Sequence, residues 1–133
     1  MSWRFDIDPD IAKASTPPAR FYTDPEAYRA TVDNVFARSW QFVGDTDLVR
    51  VPGQIHPFTL LEGCVDEPLL LTRDRDDGVH CLSNVCTHRG NLVAETPGHE
   101  KFLRCRYHGR RFGLDGGFQS MPSFEGVEGF PCD

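Results

Sequence analysis

The sequence has no apolar run approaching the roughly 20 residues that a membrane-spanning helix requires. Its start, Met1-Ser2-Trp3-Arg4-Phe5-Asp6, also lacks the apolar core of a signal peptide. These features disfavour a membrane as partner and make the cytoplasm the expected compartment. Positive charge is scarce as well: 14 Lys and Arg stand against 20 Asp and Glu, a formal net charge of −6. That balance speaks against nucleic acid and anionic lipid as partners. Cysteines number five, an odd count that suits reduced thiols better than a secreted disulfide framework. No internal repeat or low-complexity stretch is present, and 133 residues suffice for one core.

Few as they are, the cysteines and histidines are not scattered. Cys86-Thr87-His88 and Cys105-Arg106-Tyr107-His108 each carry one cysteine and one histidine, with sixteen residues between His88 and Cys105. Two thiolates and two imidazoles from separate loops fit an asymmetric binuclear [2Fe-2S] cluster, in which one iron takes the cysteines and the other the histidines. Thiolates keep a cluster's potential low, and neutral imidazoles in place of two of them raise it. Each iron then draws one ligand from each loop, so the metal centre also clamps the loop tips together. A tetrahedral Cys2His2 zinc site would use the same four side chains. Zinc fingers, however, group like ligands and take the histidine pair from a helix, whereas each pair here is mixed and lies among Gly and Pro.

The remaining pattern predicts a mainly β domain. Residues 1–20 are polar and without period, and are expected to form an extended arm. A helix is signalled from Asp24, with Thr23 and Glu26 at capping-box spacing, Pro25 in the first turn, and Tyr28, Val32, Val35 and Phe36 on one apolar face that should pack on the following sheet. Short strands are predicted at residues 40–43, 48–51, 55–61, 69–72, 79–83, 102–104 and 111–113, in antiparallel sheets of a sandwich or small barrel. Both ligand pairs then follow a strand directly, and Gly90 and Gly109 let the backbone turn closely about the cluster. Between the loops, Pro97-Gly98 is expected to close a hairpin-like cap. Cys64 and Cys81 read as buried small hydrophobes, and Cys132 has no evident partner.

Cys86-Thr87-His88-Arg89-Gly90 and Cys105-Arg106-Tyr107-His108-Gly109, followed by Phe112 and Asp115-Gly116, resemble the two cluster-binding loops of Rieske proteins. The segments around Phe21-Tyr22-Thr23-Asp24-Pro25 and Trp40-Gln41-Phe42-Val43-Gly44 resemble the amino-terminal domain of Rieske non-heme iron oxygenases, closest to the choline monooxygenase branch. The resemblance runs from about residue 16 to the end. It implies an antiparallel Rieske-type sandwich or barrel over residues 21–133, with Cys86, His88, Cys105 and His108 as ligands of the [2Fe-2S] cluster.

Departures from the family narrow the class. High-potential Rieske proteins carry an extra cysteine in each loop, where this chain has Asn91 and Tyr107. They also carry a Ser and a Tyr whose hydroxyls bond the cluster sulfurs, where this chain has Arg110 and Phe112. Without those donors the potential is expected near the bottom of the Rieske range, at about −150 mV. Many members have Pro at the place of Arg106 and Trp at that of Arg110, so Arg106, Arg110 and Arg111 form a basic face that would attract an acidic electron donor.

In the family, oxygen is activated at a mononuclear Fe(II) held by two histidines and a carboxylate. His56, His80 and His99 form no such motif, so that iron is expected in a catalytic domain outside this chain. The resemblance therefore implies a truncated electron-delivery half of an oxidoreductase. A reductase or ferredoxin would give it one electron, and the edge of His108 would pass that electron on; the full-length protein would be a homotrimer. A stand-alone Rieske ferredoxin and a zinc-stabilised binding module without redox role are the alternatives.

Overall fold

In the computed structural model, Phe5 and residues 7–130 are described. They divide into two compact units, one up to Phe42 and one from Val43 onward.

The first unit holds the one α-helix, α1 (Pro25–Asn34), between 3-10 turns at Ala19–Tyr22 and Phe36–Arg38. Its cap is Asp24 rather than Thr23: the Asp24 carboxylate accepts from the Glu26 and Ala27 backbone N–H groups at 2.7 and 3.3 Å. An aspartate in that place satisfies two orphan donors and opposes the helix dipole. The expected apolar face is not the buried one. Ala27 is the buried residue of the helix, whereas Tyr28, Val35 and Phe36 are exposed, and α1 packs against its two flanking 3-10 turns. Residues 5 and 7–20 are mostly exposed, with a turn near Asp10 in place of a continuous extended arm.

The second unit contains seven strands: β1 (Gln54–Leu60), β2 (Glu67–Arg73), β3 (Val79–Ser83), β4 (Gly98–His99), β5 (Leu103–Arg104), β6 (Arg111–Phe112) and β7 (Phe118–Ser120). They form two antiparallel sheets, ordered β3-β2-β1-β4 and β5-β6-β7. The mainly β architecture follows the sequence expectation, with local corrections. Residues 40–43 form no strand, and Trp40 and Phe42 lie in solvent. Residues 46–49 make a 3-10 turn because the Asp45 carboxylate caps the Asp47 N–H at 3.0 Å. Gly98 does not close a cap but pairs with Ile55 in β4, an edge whose two residues carry no strand signal of their own. Cys81 is exposed on edge strand β3, and Cys64 is only half-buried. Cys132 lies outside the described residues.

The core joins the two sheets. Ile55 from β1 and Leu70 from β2 pack with Leu103 from β5 and Leu114, flanked by Leu82, Val93, Ala94 and Phe112. Leu70 and Thr72 are completely buried. The Thr72 hydroxyl donates to the Leu114 carbonyl, so a polar group inside the core is satisfied across 42 residues of sequence. Among the described residues no helix is long and apolar enough to cross a membrane.

The β2–β3 turn is built on Asp74. One of its carboxylate oxygens accepts from the Asp76 and Gly78 N–H groups at 2.9 and 2.8 Å, and the other meets His80 Nε2 at 2.6 Å. The hydrogen bond to His80, then that from Gly78, holds the carboxyl below the ordinary 3.8. A depressed folded-state pKa adds stability that is fully present above the unfolded value and is lost as pH falls through the folded one. The Gly78 amide is therefore expected to stay protected from hydrogen exchange above about pH 4 and to lose protection below it. In Asp74→Ala, which leaves both N–H groups without this acceptor, protection should be low at every pH; unchanged protection in that variant would remove Asp74 from its role in the turn.

Candidate metal centre

Two hairpin tips of the same design carry the four predicted ligands. In the first, residues 86–91, the Cys86 N–H donates to the Asn91 carbonyl at 2.8 Å and the Gly90 N–H to the Cys86 carbonyl at 2.9 Å. In the second, residues 105–110, the Cys105 N–H donates to the Arg110 carbonyl at 2.9 Å and the Gly109 N–H to the Cys105 carbonyl at 3.0 Å. Cysteine stands first and glycine fifth in both. The glycines take φ of +71° and +79°, the left-handed region where a side chain is strained. The histidine is third in one tip and fourth in the other.

Each tip is held by paired strands below it. The second grows from the Arg104–Arg111 and Leu103–Phe112 pairs of β5 and β6. The first is closed by the Val85–Leu92 bridge and, one step lower, by Asn84. That buried side chain donates to the Ala94 carbonyl at 2.7 Å and accepts from the Ala94 N–H at 2.9 Å. Asn84 is a positioning residue that no sequence motif marks. Its signal is structural: a buried amide with both ends satisfied by one residue ten positions away.

The four predicted side chains lie on these two tips as two pairs. His88 Nδ1 and His108 Nδ1 face each other at 3.1 Å, with ring centroids 4.8 Å apart. Two ring nitrogens so directed, both outside the core, suit a shared partner that accepts from both. Cys86 and Cys105 are buried, 2% and 3% exposed, and their side chains are neighbours. Burial pushes the Cys86 thiol up; the backbone N–H of His88 and the charge of Arg110 oppose that, and the neighbouring Cys105 adds to it. His88 is shifted down, first by loss of water and then by His108, Arg89 and Arg110. His108 is exposed, with the Tyr107 ring at 3.8 Å.

The donor arrangement fits an iron-sulfur pair. A [2Fe-2S] cluster needs two protein ligands on each iron, whereas one tetrahedral ion needs its ligands around a single point. Among the described residues no three His, Cys, Asp or Glu side chains converge in that way. Residues 39–131 match the family of the Rieske [2Fe-2S] domain.

The chain is a Rieske [2Fe-2S] domain.

Curated relatives agree with the assignment. Choline monooxygenase of Amaranthus tricolor is 37% identical over 122 residues, 90% of this chain and 27% of the relative. The carnitine monooxygenase oxygenase subunit of Escherichia coli is 34% identical over 91% of this chain and 32% of the relative. Benzene 1,2-dioxygenase subunit alpha of Pseudomonas putida is 33% identical over 85% and 24%. Among solved structures, the quaternary ammonium Rieske monooxygenase CntA bound to L-carnitine superposes with a TM-score of 0.77 at 27% identity, covering 88% of this chain and 32% of that one. The chain thus spans about a quarter to a third of the length of these relatives. Like them it belongs to an oxidoreductase family, and a Rieske domain carries a one-electron centre.

The other predicted features of the Rieske domain fall elsewhere. His56 lies in β1 and is half-buried, His80 pairs with Asp74, and His99 Nε2 meets the Pro52 carbonyl at 2.9 Å. The expected basic face is not built as predicted. Arg110 is buried at 9% exposure, and the Arg111 guanidinium stacks 3.6 Å over Phe102, because aromatic rings from neighbouring strands draw both inward. Of the three arginines only Arg106 is exposed.

The two tip glycines differ in their surroundings. A Cβ at Gly90 meets nothing within 4 Å, whereas one at Gly109 meets Pro122 Cγ at 3.1 Å. Gly90→Ala is therefore expected to cost about 1 kcal/mol, the left-handed penalty alone. Gly109→Ala should cost more and lower the thermal midpoint further. Equal midpoints for the two variants would show that the Pro122 contact relaxes freely.

Proposed function

We propose that Cys86 and Cys105 hold one iron of the cluster and His88 and His108 the other. In this reading the domain relays single electrons from a reductase or ferredoxin to the mononuclear Fe(II) of an oxygenase catalytic domain outside this chain, in a homotrimeric full-length protein. The observation that carries the ligand assignment is the 3.1 Å approach of the two Nδ1 atoms, on the same two tips that bury Cys86 and Cys105. When bound, the cluster would supply a site that takes up and releases one electron without transfer of any substrate atom.

The chain's own residues divide the work. Buried Cys86 and Cys105 keep the thiolate side dry. His88 and His108 turn Nδ1 inward, so the outer edge of exposed His108 is where we place the electron's exit. Tyr107 limits rotation of that ring by stacking on it. The four described cysteines outside disulfides suit a reducing compartment, in line with the cytoplasm.

The test is the metal content and potential of the purified protein. A red-brown protein with two irons and two acid-labile sulfides per chain, as a [2Fe-2S] site demands, is the expected result. A colourless protein with stoichiometric zinc would overturn the reading in favour of the binding module. The potential should fall as pH rises, because loss of an imidazole proton favours the oxidised form. A flat potential from about pH 6 to pH 10 would take the exposed histidine out of the ligand set.

A further inference from the structure

Arg110 follows the second ligand tip and takes no part in the ligand set, yet it is one of three buried polar or charged residues in the described chain. Its guanidinium lies in an aromatic cage, 4.9 Å from the Phe118 centroid, 5.4 Å from Phe130 and 5.6 Å from Phe112. Its buried Nε has no hydrogen-bond partner, and no described carboxylate forms an ion pair with it. A guanidinium keeps its proton under all ordinary conditions. The result is a positive charge in a buried residue, with three phenyl rings around the guanidinium, Nε out of contact with water and no described carboxylate paired with it. Partial burial of a charge costs folding free energy, and the cation–π contacts recover part of that cost.

The residue adjoins the proposed redox centre through its backbone. The Arg110 carbonyl closes the second tip by accepting from the Cys105 N–H, so the residue is tied to one iron ligand by its own backbone. Adding one electron makes the centre more negative by one charge. A fixed cation nearby in a low-dielectric setting lowers the energy of that reduced state relative to the oxidised one.

We propose that Arg110 is a potential-tuning residue, a buried cation that raises the reduction potential of the cluster. This inference rests on the ligand assignment made above. It also revises the expectation of a potential near the bottom of the range, which followed from the missing hydroxyls at positions 110 and 112. The residue that stands in the hydroxyl's place acts on the same quantity, by a full charge in place of a hydrogen bond. An exposed arginine would be screened by water and salt and would have little such effect. Arg106, one position beyond Cys105 and exposed, is the internal control.

The experiment is a redox titration of the purified protein and its variants, with iron and sulfide measured on each. Arg110→Gln is expected to lower the reduced-to-oxidised ratio at fixed ambient potential by about tenfold, which is about 59 mV for a one-electron couple. Arg110→Lys should retain most of the wild-type potential, and Arg106→Gln should leave it nearly unchanged. An Arg110→Gln protein with full cluster and wild-type potential would overturn the proposal while leaving the ligand assignment intact. Loss of cluster from the wild type itself would instead count against that assignment. If Arg110→Gln fails to assemble, Phe118→Leu opens the cage to water with Arg110 in place. Its potential should fall, and a cluster-loaded Phe118→Leu protein at the wild-type value overturns the proposal equally.

Discussion

Replacing Cys105 by alanine is expected to give a colourless protein with iron and sulfide near zero and an unchanged far-UV circular dichroism spectrum. Cys105 is buried, sits opposite Cys86, and follows β5 without a spacer. No other described cysteine can take its place, since Cys64 is half-buried in a turn of its own and Cys81 is exposed on edge strand β3. Under the proposed ligand assignment, loss of one thiolate would leave one iron with a single protein ligand, too few to anchor a cluster that also shares sulfides with its neighbour. The sheets should persist because their core of Ile55, Leu70, Leu103 and Leu114 lies below the tips and includes none of the ligands. The matched control is Cys81→Ala, which removes a thiol from the same protein and should retain the full cluster. Wild-type iron and sulfide in Cys105→Ala would eliminate this residue as a ligand.

Leu70→Ala is expected to be the most destabilising of the single substitutions proposed on the fold, at about 2–5 kcal/mol. Leu70 is fully buried in the middle of β2, between Pro57 of β1 and Leu82 of β3. It packs on Leu103 and Leu114, so the hole would open where the two sheets meet. Relaxation into that hole is limited because β2 is paired on both sides. The measurement is a denaturant titration, in which the midpoint should fall while the slope stays the same. Val79→Ala on the exposed edge of β3 should change stability by less than about 0.5 kcal/mol. A Leu70→Ala protein as stable as that control would show that the core reading is wrong.

The site was more legible than the fold around it. Cys86, His88, Cys105 and His108 stand out because metal ligands are of few residue types and their spacing within a tip is local. The two tip glycines are legible for the same reason, as a left-handed turn closed over four residues selects glycine on the spot. Strands β1 to β3 are visible as alternating or apolar runs, since each pairs along most of its length. By contrast β4 and β7 are two and three residues long, and their pairing partners rather than their own residues make them strands. Residues 40–43 show the opposite error. An apolar, β-prone segment forms no strand among the described residues, because propensity is only a preference for a pleated, half-buried surface that a neighbour must supply.

Charge and burial were the least legible. Three arginines near the second tip look alike in sequence, and the structure gives them three environments: Arg106 in solvent, Arg111 stacked on Phe102, and Arg110 enclosed by Phe112, Phe118 and Phe130. Asn84 is equally silent in the sequence, and its role appears only when Ala94 is placed across from it. The helix shows the same limit: periodicity marks Tyr28, Val35 and Phe36 as the inner face, but Ala27 is the residue that is buried.

By itself the sequence determined the chemistry of this protein: two thiolates and two imidazoles in mixed pairs, on glycine-closed loops, within a mainly β chain. Ligand type and tip geometry are set by residues within five positions of one another, so they can be read in one dimension. Only the tertiary structure decided that the four predicted ligands lie as a histidine pair and a cysteine pair, and that one arginine of the second tip is buried. Both depend on strands far apart in sequence coming together, and dielectric environment belongs to that packing rather than to any residue in it.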